Sequence, residues 1–278
     1  MTFETESLEP FGVLVTPGRS GQDVHRLDLD VLRGLVETHH LLVLRGFDAF
    51  PHADAFVAYG ERWGDISVWP FGKVLELVEH LTPEDHIFDH RDVPLHWDGM
   101  YRPQVPELQM FWCVRAPEAD QGGRTTFSNT RLALERLAPD LRSAWEGIEG
   151  VYERRMAFYD SRAIAPLITR HPTRGYPVIR YAEPPQEGDT GFINHPAIAL
   201  RGLDDDSAAE VHRVLQGVLH DPACLHAHAW RTGDLVVADN HTLLHGREAF
   251  VSGAPRHLRR LHILGTPPLE NPHLVSHA

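Results

Sequence analysis

Short apolar runs set far apart constrain this chain more than any other feature. Leu41–Leu44 (LLVL), Val74–Val78, Leu108–Arg115 (LQMFWCVR), Val178–Tyr181, Leu235–Ala238 and residues 258–264 are each too short for a core helix, and they read as strands. Helical spacing runs through 27–40, 53–63, a stretch opening near Ser128-Asn129-Thr130, which suits an N-cap, and 206–219. Pro139 breaks the third of these in two. Residues 79–106 are polar, rich in Pro, Asp and His, and read as loop. Short strands, long loops and helices gathered toward the first half predict a mainly β fold, a double-sheet sandwich with flanking helices. A regular βαβ alternation, a GxGxxG and a Walker A sequence are all absent, so a Rossmann or P-loop fold has little support. No repeat or linker divides the 278 residues, and a single domain over 1–278 is expected.

Charge narrows the partners. The balance of 26 basic against 39 acidic residues gives a formal net charge of −13. Such a surface repels phosphate backbones and anionic lipid, which argues against nucleic-acid and membrane binding. A small anionic substrate stays compatible, because a buried Arg sets the local field. The N-terminal MTFETESLEP lacks a basic segment followed by an apolar one, and no stretch is long and apolar enough for a span. A cytoplasmic protein acting on a small molecule is expected, with self-association left open. Cys113 and Cys224 lie in apolar stretches and read as buried, reduced thiols.

Histidine is abundant, and a His-x-Asp/Glu pattern is weak by itself. With 20 His and 39 acidic residues in 278, about three matches arise by chance, and three occur: His52/Asp54, His90/Asp92 and His96/Asp98. Context separates them. His52 and Asp54 open a helix after Pro51, where Asp serves the helix terminus, and His90/Asp92 lies in the charged run DHRD. His96-Trp97-Asp98 instead sits between Pro94-Leu95 and Gly99-Met100-Tyr101. Polar groups walled by apolar ones need a partner that offsets their desolvation, and a metal ion is one. Two imidazoles and a carboxylate on one side of an iron(II) ion leave positions open for oxygen chemistry. The third ligand must come from a distant strand, and His241 and His245 in DNHTLLHGR are both candidates.

The order of HxD, a long interval, a lone His and an Arg-rich strand resembles the taurine/2,4-dichlorophenoxyacetate dioxygenase (TauD/TfdA) family over roughly residues 40–265. The resemblance implies a double-stranded β-helix (jelly-roll) core, an Fe(II) centre, and 2-oxoglutarate and O2 as co-substrates. In that family the distal His is followed eleven residues later by an Arg that holds the far carboxylate of 2-oxoglutarate. From His245 the offset reaches Arg256; from His241 it reaches Ser252, which cannot serve. The resemblance therefore implies His96, Asp98 and His245 as metal ligands and Arg256 as the carboxylate anchor. It also implies Arg260, four residues on, near the keto-acid end or an anionic substrate group, and Thr125 of Gly122-Gly123-Arg124-Thr125 as a further co-substrate contact. Arg124 replaces the family's usual Asp there. Halogenating relatives lack the carboxylate that this chain keeps at Asp98, so hydroxylation or desaturation by hydrogen abstraction is implied.

The strings PLHWDGMY (94–101), QGGRTTFS (121–128) and DNHTLLHGR (239–247) are similar to one branch, the PvcB-like oxygenases of isonitrile biosynthesis. This implies an isocyano acid derived from an aromatic amino acid as substrate, with Trp97, Met100 and Tyr101 as candidate walls of its pocket. Two other readings stand beside it: a hydroxylase of a free or carrier-bound amino acid at the same iron site, and a cupin-like zinc-binding or hydrolytic protein.

Overall fold

A computed structural model describes residues 2–48, 50–156, 159–185 and 193–276. Its fold is mainly β. Seven strands form a large sheet in the order Phe3–Ser7, Val13–Pro17, Leu41–Leu44, Leu235–Asp239, Leu108–Arg115, His257–Ile263, Leu75–Leu77. Neighbours are antiparallel except Val13–Pro17 and Leu41–Leu44, which run parallel. A small antiparallel sheet has the order Leu225–His228, Thr125–Asn129, Leu243–Arg247, Val93–His96.

The central strands of the large sheet are apolar throughout because both faces are covered. Alternation along Leu108–Arg115 sends Met110 and Trp112 to one face, where they pack with Leu32, Val36, Phe56 and Tyr59 of the helices Leu29–His39 and Ala53–Gly60. Phe111 and Cys113 go to the other face and meet Phe127 and Leu243 of the small sheet. A third core surrounds Leu95 and Trp97 and includes Leu134, Trp145 and Leu215 of the helices Thr130–Arg136, Pro139–Trp145 and Asp205–Leu219. Pro139 opens the second of these helices. Cys113 and Cys224 are buried and free. Among the described residues no helix is long and apolar enough to cross a membrane.

Two expectations are corrected. Residues 79–106 are not all loop: Val93–His96 pairs with Leu243–Arg247, and a 3-10 turn covers His86–Phe88. The strand has its Pro94 at the edge of the small sheet, where a missing N–H is tolerated, and this disguised it. The 150–200 region also holds a longer hairpin than expected, Glu149–Met156 with Tyr159–Pro166. The other predicted elements fall within a few residues of their expected positions, whereas strands such as Phe3–Ser7, Val13–Pro17, Ala197–Arg201 and Leu225–His228 were not predicted.

Candidate active site

Register brings the first two ligand candidates together. His245 and His96 are cross-strand partners in the small sheet, and His245 also faces Phe127, which points into the core between the sheets. Both imidazoles therefore face inward, with ring centroids 4.2 Å apart. Asp98 lies two residues beyond His96, in a turn rather than on the strand, with its oxygens 3.9 Å and 3.5 Å from the Nε2 atoms of His96 and His245. One donor atom from each of the three lies within 4.8 Å of the other two. His241 is not in this group: its Nδ1 accepts from Arg180 at 2.7 Å, and Arg180 also donates to the Asn240 carbonyl. His52 caps the helix Ala53–Gly60 by accepting from the Ala55 N–H, and His90 pairs with Asp89 and Glu79.

The large sheet presents a polar row to Asp98. In the pairing of Leu108–Arg115 with His257–Ile263, Arg260 stands opposite Phe111 and His262 opposite Gln109, so Gln109, Arg260 and His262 share the inward face. Asp98 Oδ2 accepts from Arg260 at 2.8 Å, His262 at 2.8 Å and Gln109 at 3.0 Å. Asn240 fixes the backbone beneath: its Oδ1 accepts from the Asp98 N–H at 3.1 Å and its Nδ2 donates to the Asp98 carbonyl at 2.9 Å. Gln109, Asn240 and His262 were missed in the sequence. Gln109 carried the clearest signal, as a polar residue inside the apolar run Leu108–Val114 with the same facing as Phe111.

The electrostatics suit a cation. Burial alone would raise the Asp98 carboxyl, but Arg260, His262 and His245 outweigh it and hold it well below the usual carboxylate range. Burial, with His96 beside it, pushes His245 well below the usual imidazole range, and burial lowers His96 as well. One ionised carboxylate and two neutral imidazoles are the protonation states that ligation requires. His96 Nδ1 donates to the Pro94 carbonyl at 2.9 Å, which fixes the tautomer with Nε2 as the donor atom for a metal. The residues fit a bound iron(II) ion.

Two cavities meet at this cluster. One is lined by Thr125, Phe111, His245, Arg256 and also by His96 and Arg260. Arg256 is 5% exposed, and burial followed by Arg247 pushes its guanidinium down to about 9. Its Nε donates to the Gly123 carbonyl at 2.9 Å, and Nη2 lies 3.4 Å from Thr125 Oγ1, which also accepts from Trp230. Among the described residues no carboxylate pairs with it. Gly123, at φ +78°, permits this approach, since a Cβ there would stand 2.9 Å from Arg256 Cδ. Arg124, at the family's Asp position, forms a cross-strand pair with Glu248 at 2.6 Å on the exposed side. Arg260 serves Asp98 first and lines both cavities. The second cavity reaches His96 and Asp98 from the other side, and Trp97, Met100 and Tyr101 line it while also belonging to the core.

Comparison with known proteins identifies the family. Residues 4–262 match the family described as taurine catabolism dioxygenase TauD, TfdA family. A tyrosine isonitrile desaturase of Pseudomonas aeruginosa is 50% identical over 264 residues, covering 95% of this chain and 91% of the relative. One from Erwinia amylovora is 46% identical over 275 residues, covering 99% and 94%. A solved structure of PvcB, described as an Fe, alpha-ketoglutarate dependent oxygenase from an isonitrile synthetic pathway, superposes with a TM-score of 0.85 at 44% identity, covering 98% of this chain and 96% of that one. This chain belongs to the TauD/TfdA family of dioxygenases.

Proposed function

We propose that this chain is an Fe(II)- and 2-oxoglutarate-dependent oxygenase that desaturates an isocyano acid derived from an aromatic amino acid, tyrosine first, in isonitrile natural-product biosynthesis. The observation that carries the reading is Arg256, a buried guanidinium without a carboxylate partner among the described residues, in a cavity shared with His96 and His245. A buried cation of this kind calls for an anion, and its planar fork suits a carboxylate. A zinc-dependent hydrolytic protein would leave it without a task. The names of the relatives favour the isocyano acid and favour desaturation over hydroxylation.

In this reading His96, Asp98 and His245 hold the iron, and Arg256 with Thr125 holds the distal carboxylate of 2-oxoglutarate. Iron with the keto acid bound supplies oxygen activation and hydrogen-atom abstraction. The residues of the chain orient the partners. Gln109, Arg260 and His262 keep Asp98 ionised and aimed, and Asn240 fixes its backbone. Trp97, Met100 and Tyr101 form an apolar wall for the aromatic ring. In balance, substrate, O2 and 2-oxoglutarate become alkene, succinate, CO2 and water. The two facing sheets are read as a double-stranded β-helix, the chain as one domain, and its setting as the cytoplasm.

The test incubates iron(II)-loaded protein with 2-oxoglutarate, air and the isocyano acid derived from tyrosine, following succinate and product mass. Succinate in step with a product two hydrogen atoms lighter is expected. A product heavier by one oxygen would make it a hydroxylase; no substrate-dependent succinate would overturn the reading.

A further inference from the structure

Arg247 takes no part in the metal cluster, yet it stands two residues beyond His245 on the strand Leu243–Arg247 and lines the same cavity as His245 and Arg256. It is buried, and burial pushes its guanidinium down to about 10, which leaves it charged at neutral pH. Among the described residues all its hydrogen bonds go to backbone carbonyls of one short segment. They reach Ile87 at 2.9 Å, Asp89 at 2.5 Å, Arg91 at 2.6 Å and His86 at 3.5 Å. Burying a cation against neutral acceptors is costly. What the arrangement secures is the course of residues 86–91.

That course shows in the alternation of its carbonyls. Those of Phe88 and His90 accept from the backbone N–H groups of His80 at 3.0 Å and Phe250 at 2.9 Å. Those of Ile87, Asp89 and Arg91 take no hydrogen bond but that of Arg247 among the described residues, so the guanidinium serves the segment as a neighbouring strand would. The segment matters because His86, Ile87 and Phe88 line the cavity that Trp97, Met100 and Tyr101 also line. Ile87 lines the cavity of Arg256 as well, and so stands between the two. A wall held only by its own loop could slide relative to the metal ligands. This one is tied to the strand of His245. A shift of about 1 Å at a reacting atom is worth roughly 100-fold in rate.

We propose that Arg247 is a positioning residue for the substrate: it fixes the wall His86–Phe88 at a set depth from the metal ligands, with the Ile87 side chain as the partition between substrate and 2-oxoglutarate. This rests on the proposed function, since it takes the substrate in one cavity and the keto acid in the other. In productive turnover succinate and alkene form in equal amounts. A substrate held out of place fails to present its hydrogen atom. Then 2-oxoglutarate and O2 still give succinate and CO2, and the two remaining oxidising equivalents pass to the ascorbate of the assay, yielding water and dehydroascorbate. Misplacement therefore appears as succinate without alkene, whereas loss of folded protein lowers both alike.

The test compares the whole natural chain with Arg247→Lys and Ile87→Ala, each with iron(II), 2-oxoglutarate, ascorbate, air and the isocyano acid derived from tyrosine. Lys loses the planar fork but keeps a cation beside the Phe250 ring, which lies 5.1 Å from Arg247 and 5.7 Å from Arg256. Equal succinate and alkene are expected from the natural chain, and succinate per alkene higher by roughly 10-fold from Arg247→Lys. Calorimetry without oxygen is expected to show the acid bound about 10-fold more weakly by Arg247→Lys, with iron and 2-oxoglutarate affinities changed less than about 3-fold. Ile87→Ala leaves the backbone clamp in place and removes the partition; a raised succinate-to-alkene ratio is expected, and this variant carries the test if Arg247→Lys does not fold. Variants with the natural ratio and natural affinity for the acid would overturn the roles of Arg247 and Ile87 and leave the proposed function standing. So would a loss of iron or 2-oxoglutarate affinity in place of affinity for the acid. A natural chain that gives no substrate-dependent succinate would overturn the proposed function and this assignment together.

Discussion

Arg256 and Arg260 stand four residues apart and are held in opposite ways. Arg260 has a carboxylate at 2.8 Å, whereas Arg256 is buried against a carbonyl and a hydroxyl, with no carboxylate paired to it among the described residues. Replacing Arg256 with Ala would strand the distal carboxylate of the co-substrate, at a loss of order 3–5 kcal/mol. The expected outcome is 2-oxoglutarate affinity lower by about two to three orders of magnitude, measured by calorimetry on the iron-loaded protein. Gln109 acts one step further out, donating to Asp98 at 3.0 Å and to Asn240 at 2.9 Å and lying 3.1 Å from His245 Nδ1. Gln109→Leu is expected to weaken iron binding about 10- to 100-fold with the circular dichroism spectrum unchanged. The candidate ligands and anchor were legible in the sequence because their order and offsets form a set. Gln109, Asn240 and His262 were not, because one polar residue in a strand gives no sign of what lies opposite.

At the scale of elements, strand pairing decides whether the imidazoles meet. The edge strand Val93–His96 must lie in register with Leu243–Arg247, and Gly246 makes the approach possible. A Cβ there would stand 2.5 Å from the Val93 carbonyl oxygen and 3.0 Å from Thr126 Oγ1. Gly246→Ala is therefore expected to destabilise the fold by roughly 1–3 kcal/mol and to weaken iron binding as the edge strand moves off His245. A denaturation midpoint and a metal titration check the two effects together. The buried strands were legible because both of their faces are covered, which leaves a continuous apolar signature in runs such as Leu41–Leu44 and Leu235–Ala238. The edge strand was not, because Pro94 and its polar surroundings imitate a loop. Glu149–Met156 was hidden for a related reason: its charged residues break the apolar pattern, and its pairing with Ala197–Arg201 is remote in sequence.

Across the whole molecule, buried neutral histidines link stability to pH. His241, lowered to about 3 by burial and then by Arg180, is the clearest. Unfolded, the same imidazole titrates near about 6.5. Between those values the unfolded chain binds a proton that the folded chain does not, so stability is complete above about pH 6.5 and declines as pH falls. From pH 7 to 5 the contribution of this group is about 2 kcal/mol, and a thermal scan of His241→Asn, which keeps an acceptor for Arg180, is expected to show a smaller loss over that interval. The central claim is also molecular in scale, since it requires residues from separate parts of the chain to share one ion. Anaerobic iron(II) titration of the natural chain and of the single variants His96→Ala, Asp98→Ala, His245→Ala and His241→Asn tests it most directly. One ion per chain is expected for the natural protein, with affinity lost in the first three variants and kept in His241→Asn. Undiminished binding by His245→Ala, or loss confined to His241→Asn, would contradict it.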